Sequence, residues 1–213
     1  MATGSTSASA GLSAKGTRLN ARGRQTRRHV LRVALHCLAE GGAEAVSANL
    51  IARRAGVTWG TIQHQFGDAD GLWAAVLEYV EVESGPLLPH LRDHSDLAER
   101  VTAVTDLLWR VLDLPVGRAI NQLRMVLPQD RAELEGSYPQ TAAAIASWDE
   151  FWTGTFEHAF ASLDVDPARL TRVRALLPPT MRGLRTEEAL STYVDIDAAR
   201  RGLREAITAY LSA

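Results

Sequence analysis

The chain has 213 residues, an apolar content of 46% and a formal net charge of −2. That is apolar material enough for a sizeable core, which excludes wholesale disorder. One cysteine, Cys37, excludes an internal disulfide framework and fits a reducing compartment. There is no apolar run of the roughly 18 residues that a membrane span needs. The opening "MATGSTSASAGLSAKG" also lacks the apolar stretch of a signal peptide. The expectation is a cytoplasmic protein with no membrane partner.

The charges are unevenly placed. Residues 1–66 hold nine Lys/Arg against two Asp/Glu, and the remainder holds 14 against 23. A basic N-terminal third on an acidic body points to an anionic partner for that third alone.

Taken in chain order, residues 1–21 are Ser-, Ala-, Gly- and Thr-rich without a helical period and read as a disordered basic arm. From residue 22, Val30, Leu31, Ala34 and Leu38 share one face of a helix that Gly41-Gly42 ends, with Cys37 beside the stripe as a small buried side chain. Ser47 suits the cap of a short second helix carrying Leu50 and Ile51 inward. Gly56 ends that helix and Thr58 caps a third. Gly67-Asp68 close the third and open a fourth, with Asp68 or Asp70 as its cap and Leu72, Ala75, Val76, Tyr79 and Val80 inward. The stretch "SGPLLPH" at residues 84–90 breaks the pattern and marks a boundary between a domain over 22–84 and another over 85–213.

Beyond it, Leu97, Val101, Val104, Leu108, Val111 and Leu112 predict a long helix ended before Pro115, and a shorter one covers about 116–127. A helix over about 138–162 carries the large rings. Asp166-Pro167 opens the next, in which Pro178-Pro179 predict a kink or a split, and Asp195 or Asp197 starts the last. No segment alternates with period two, so the fold class is all-α.

The stretch "IARRAGVTWGTIQHQF", residues 51–66, carries the chemistry. Two short helices joined by a tight glycine turn make a helix-turn-helix. Ala55 allows close approach, Gly56 can take positive φ, and Ile62 and Phe66 anchor the second helix inward. Trp59, Gly60, Gln63 and His64 then face outward with Thr61 beside them. An outward Trp and Gly suit a groove better than a solvated surface. Gly60 permits close approach, Thr58 and Thr61 offer hydroxyls to phosphate, Gln63 has the donor–acceptor pair that suits adenine, and Trp59 can press on a thymine methyl. Ser47, at the head of the preceding helix, and Arg53 join this DNA-binding set, with Arg54 and the arm adding sequence-independent attraction.

These residues resemble the DNA-binding domain of the tetracycline-repressor (TetR) family, whose pattern reads roughly I-A-x-x-A-G-V-S-x-G-T-L-Y-x-H-F. Ile51, Ala52, Ala55, Gly56, Val57, Gly60, Thr61 and Phe66 match, Thr58 replaces Ser and Ile62 replaces Leu. Gln63 stands where the family has a backbone-contacting Tyr, and Ala69 where a Lys reaches a phosphate; each loss should weaken binding by about 1 kcal/mol. Compensation is expected from Lys15, Arg18, Arg22, Arg24, Arg27 and Arg28, reaching along the duplex or into its minor groove.

The resemblance implies a homodimer through the last two helices and an effector pocket among those before them. Leu176, Leu177, Met181, Leu184, Leu203, Ile207 and Tyr210 supply the expected dimer face. The expected effector site holds Trp109, Leu112, Arg124, Trp148, Phe151, Trp152 and Phe156 and suits a hydrophobic or aromatic small molecule. In the family's mechanism, effector shifts the fourth helix, the recognition helices separate, and a palindromic DNA operator is released. The reading is therefore a ligand-responsive transcriptional repressor without cofactor or metal. An adaptor that keeps the fold without specific DNA binding is the alternative, and an enzyme is less favoured. His90 and His94 have the spacing of a helical metal pair but lack a third ligand, and no nucleophile elbow, phosphate loop or dinucleotide fingerprint occurs.

Overall fold

Asn20 sets the start of the first helix, its side-chain oxygen accepting the Gly23 N–H at 2.8 Å. This helix, α1 (Ala21–Glu40), ends at Gly41, whose φ of 76° a residue with a Cβ would adopt only under strain. The computed structural model of the protein describes residues 12–41, 47–84, 96–190 and 193–213. The arm over 1–11, Gly42, the predicted break at 85–90 and the His90/His94 pair lie outside the described residues.

The other helices follow as α2 (Ala48–Arg54), α3 (Trp59–Phe66), α4 (Ala69–Ser84), α5 (Leu97–Asp113), α6 (Pro115–Val126), α7 (Arg131–Ser137), α8 (Pro139–Phe160), α9 (Pro167–Ala189) and α10 (Ile196–Ser212). Among the described residues the only strand-like pairing is one bridge between Leu12 and Arg18, and the fold is all-α. Caps account for most boundaries: Ser47, Thr58, Asp166 and Asp195 each accept a backbone N–H at the head of their helix. Of the two candidates for α4, Asp68 is the cap, accepting the Gly71 N–H at 2.9 Å.

Two compact units emerge, residues 1–85 with 115–148 and residues 86–114 with 149–213. In the first, Val30, Leu31 and Ala34 of α1, Ile51 of α2, Ile62 of α3 and Leu123 of α6 are buried in one core, and α1 packs along α6. The helix α4 is buried on more than the predicted stripe, since Trp73 and Leu77 are covered as well. In the second unit, Val101 and Val104 of α5, Phe156 and Phe160 of α8, Leu177 of α9 and Ile207 of α10 share a core. Residues of α8 belong to both units.

Three expectations are corrected. The arm is structured from residue 12, where a tight turn forms: Ser13 and Leu19 are buried, Ala14 N–H donates to the His64 carbonyl and Arg24 to the Leu19 carbonyl. The helix α7 was not foreseen; Asp130 caps it, accepting the Glu133 N–H at 2.9 Å, but no residue of it is buried and so no apolar stripe announced it. Of the kink or split expected at Pro178-Pro179, the split does not occur: α9 runs through them as one element, with Leu177 and Met181 on either side buried in the core.

Candidate nucleic-acid interface

The turn between α2 and α3 is built by short-range bonds. Ala55 N–H donates to the Ile51 carbonyl at 2.8 Å, Gly56 N–H to Arg53 at 3.2 Å and Val57 N–H to Ala52 at 3.0 Å. Gly56 has φ of 64°, the left-handed geometry that closes such a turn. His29 Nε2 on α1 lies 3.2 Å from the Ala55 carbonyl oxygen, so that nitrogen carries the proton and donates.

Short as it is, α3 is held at both ends. At its head Thr58 Oγ1 accepts the Thr61 N–H at 3.2 Å and lies 3.0 Å from Thr61 Oγ1. At its tail three carbonyls are partnered, two of them by groups outside the helix. Gln63 accepts from Gly67 N–H at 2.9 Å, and His64 from Ala14 N–H at 3.2 Å. Gln65 accepts from Arg27 Nη1 at 2.7 Å. The Arg27 guanidinium also stacks on the Phe66 ring, 4.4 Å from its centre. Burial pulls the Arg27 pKa below its ordinary value, and the Glu78 carboxylate opposes that shift.

With Ile62 and Phe66 buried, the opposite side of α3 faces outward. Trp59 (39% exposed), Gly60, Gln63 and His64 lie there, with Thr58 and Arg53 exposed beside them and Thr61 half-buried. Ser47 is half-buried, its hydroxyl engaged by the Leu50 N–H at 3.3 Å. The structure thus brings Arg53 and residues 58–64 onto one face. A Cβ built on Gly60 meets nothing closer than Thr58 Oγ1 at 3.7 Å, so the fold does not require glycine there. Gly71 is the reverse: its Cβ would lie 2.0 Å from the Phe66 carbonyl oxygen, so glycine is what allows α4 to leave the end of α3. Sequence reading passed over Gly71 because nothing local marks it.

Among the cations, Lys15, Arg18, Arg22, Arg24 and Arg28 are exposed, whereas Arg27 is buried and is removed from the expected DNA-contacting set. The exposed Arg54 donates to the Glu40 carboxylate, which holds the Glu40 pKa below its ordinary value. Ala69 is half-buried at the head of α4 and supplies no charge.

Residues 30–76 match the sequence profile described as bacterial regulatory proteins, tetR family. Over this segment the chain is similar to the tetR family of bacterial regulatory proteins. Its fold is shared by solved structures: the multidrug binding protein EbrR in complex with imidazole (20% identity, 88% of this chain and 90% of that one, TM-score 0.59); NalD, the secondary repressor of the MexAB-OprM multidrug efflux pump in Pseudomonas aeruginosa (19%, 89% and 98%, 0.60); and a putative TetR-family transcriptional regulator from Mesorhizobium loti (14%, 91% and 98%, 0.59). No curated protein matches the sequence. No helix among the described residues is long and apolar enough to cross a membrane.

The residues expected to bind effector divide between the units. Arg124 and Trp148 belong to the first, where Trp148 Nε1 donates to the Leu77 carbonyl at 3.3 Å. Trp109, Leu112, Phe151, Trp152 and Phe156 belong to the second. There Trp152, Phe156 and Phe160 form a run of rings with centres 5.6 and 4.9 Å apart. The Trp152 indole N–H is buried without a hydrogen-bond partner among the described residues. Trp109 is held instead by two guanidiniums, Arg185 at 3.7 Å and Arg200 at 4.4 Å from its ring centre, while Phe151 is 41% exposed. Neither arginine was anticipated, since each lies far along the chain from Trp109.

The expected dimer face needs correction as well. Leu177, Met181 and Ile207 are buried in the second unit's own core and cannot meet a partner, because the helix rotation turns them inward. Leu184 and Leu203 are half-buried. Leu176 and Tyr210 stay exposed, the latter pinned by Arg172 Nη1, which donates to its hydroxyl at 3.0 Å.

Proposed function

We propose that this protein is a cytoplasmic, homodimeric transcriptional repressor that binds a palindromic operator through α3 and is released by a small hydrophobic or aromatic effector. The carrying observation is the outward face of Trp59, Gly60, Gln63 and His64 on a helix fixed at both ends. A helix backbone already fixed loses little freedom on entering a major groove, and Gln63 can bond an adenine edge bidentately.

For the effector, the ring run Trp152–Phe156–Phe160 and the unpartnered Trp152 N–H suit an aromatic molecule with one hydrogen-bond acceptor. The multidrug association in the names of EbrR and NalD supports the same reading. For the dimer, the exposed sides of α9 and α10, with Leu176 and Tyr210 as anchors, are the proposed contact; two copies would set the half-site spacing. By linkage, an effector that weakens operator binding must itself bind more weakly to the DNA complex, by the same factor.

The adaptor reading draws its support from Gln63 and Ala69, which stand where the family pattern has a Tyr and a Lys, so that the head of α4 offers no cation at position 69. One experiment separates them. The protein is titrated onto the duplex immediately upstream of its own coding region, against excess random duplex, and aromatic compounds are then screened for release and for quenching of tryptophan emission. Retained binding under competition and release by a quenching compound support the repressor. Binding no stronger than to random duplex favours the adaptor.

A further inference from the structure

Residues 12–19 form a tight turn tied to the tail of α3. Within the turn, Ser13 N–H donates to Thr17 carbonyl at 2.8 Å and Gly16 N–H, at φ of 74°, to Ser13 carbonyl at 2.9 Å. Thr17 N–H donates to Ser13 Oγ at 3.2 Å, and Leu12 and Arg18 pair as a bridge. One end of the turn is fixed where Ala14 N–H meets the His64 carbonyl at 3.2 Å. Ala14 passes beside Gly67, where a φ of 88° is what favours glycine. The other end is fixed by the buried Leu19, whose carbonyl accepts from Arg24 Nη1 at 2.7 Å, and by Asn20, the cap of α1.

Two exposed cations, Lys15 and Arg18, are the only charged side chains on this turn, and no Asp or Glu precedes Glu40 in the chain. Lys15 directly follows the residue bonded to His64, itself on the outward face of α3. We propose that this turn is a second DNA-contacting element, in which Lys15 and Arg18 neutralise backbone phosphates flanking the bases read by α3. The inference rests on α3 being the recognition helix. The occupant is duplex phosphate because the turn is anchored to that helix and carries positive charge alone. Because the backbone is already ordered, the two cations are placed before DNA arrives and little ordering opposes their contacts.

Salt titrations of the full chain test this, using the upstream duplex and a random duplex of about 30 base pairs, between about 50 and 200 mM salt. The Lys15→Ala/Arg18→Ala variant should lose about 1.8 from the slope of log affinity against log salt, two phosphate contacts at about 0.9 each. Its affinity then falls about 12-fold less than that of the wild type over this fourfold rise in salt. Arg18→Lys should keep the slope, and so should removal of residues 1–11, which hold no Lys or Arg. An unchanged slope in the double variant, with steep wild-type binding, overturns the role of the turn and leaves α3 as the reader. Wild-type protein that binds neither duplex in a salt-dependent way overturns both.

Discussion

The guanidinium of Arg27 stacks 4.4 Å from the centre of the Phe66 ring and ties α1 to the tail of α3. The same group donates to the Gln65 carbonyl at 2.7 Å, so Arg27→Ala removes a charge-assisted bond and a cation–π contact together. The expected cost is about 3 kcal/mol, read as a lowered denaturation midpoint together with weakened duplex binding. The exposed neighbour Arg28 should behave oppositely. Arg28→Ala is expected to shift stability by no more than about 0.5 kcal/mol, and any loss should lie in the salt dependence of binding.

Two glycines on and beside α3 predict contrasting outcomes. Gly71→Ala drives a Cβ to 2.0 Å from the Phe66 carbonyl oxygen, a backbone atom that cannot move aside without shifting α3 against α4. A loss of about 3 kcal/mol or failure to fold is expected. Gly60→Ala meets only open space and the Thr58 hydroxyl at 3.7 Å. It should raise helix stability by up to about 1 kcal/mol and still lower duplex affinity, because the methyl stands where DNA must approach. Thermal melts beside binding curves separate the two effects.

Asp70 caps a helix other than its own. Its carboxylate accepts the Gln140 N–H at 2.9 Å and the Thr141 N–H at 2.8 Å, and its carbonyl accepts from Thr141 Oγ1 at 3.0 Å. Asp70→Ala leaves two backbone donors and the Gln140 side-chain amide at the head of α8 without their acceptor, with Thr141 fully buried. The expected loss is about 2 kcal/mol. Hydrogen exchange should show it first at residues 140–143, ahead of α1.

The Glu40–Arg54 pair gives a pH signature. Arg54 holds the Glu40 carboxyl below its ordinary pKa of 4.5, so the pair stabilises the fold fully above that value. The contribution is lost as the pH falls through the lower, folded value. The melting-point difference between wild type and Glu40→Gln should therefore be present at neutral pH and shrink on acidification. Added salt should shrink it too, since both groups are exposed.

Much of this was legible because helix caps are local. Ser47, Thr58, Asp166 and Asp195 do at their helix heads what their residue types predict, and the inward pair Ile62 and Phe66 orients the outward face of α3. What escaped depends on distant neighbours. Arg27 stands in a run of arginines that look alike, and it is Gln65, 38 residues away, with Phe66 beside it, that turns it inward. Leu176 and Leu177 differ in burial, 54% against 1% exposed, through helix rotation alone. The clamp of Trp109 by Arg185 and Arg200 needs three helices in place before it exists.

The central claim is that the outward face of α3 reads duplex sequence, and Gln63→Ala tests it most directly. Gln63 is exposed, so the fold should stand, and its affinity for random duplex should stay within about twofold of wild type. Its preference for the upstream duplex over random duplex should fall by roughly tenfold or more, the value of one bidentate base contact. A preference unchanged by Gln63→Ala, or absent from the wild type, would contradict the account.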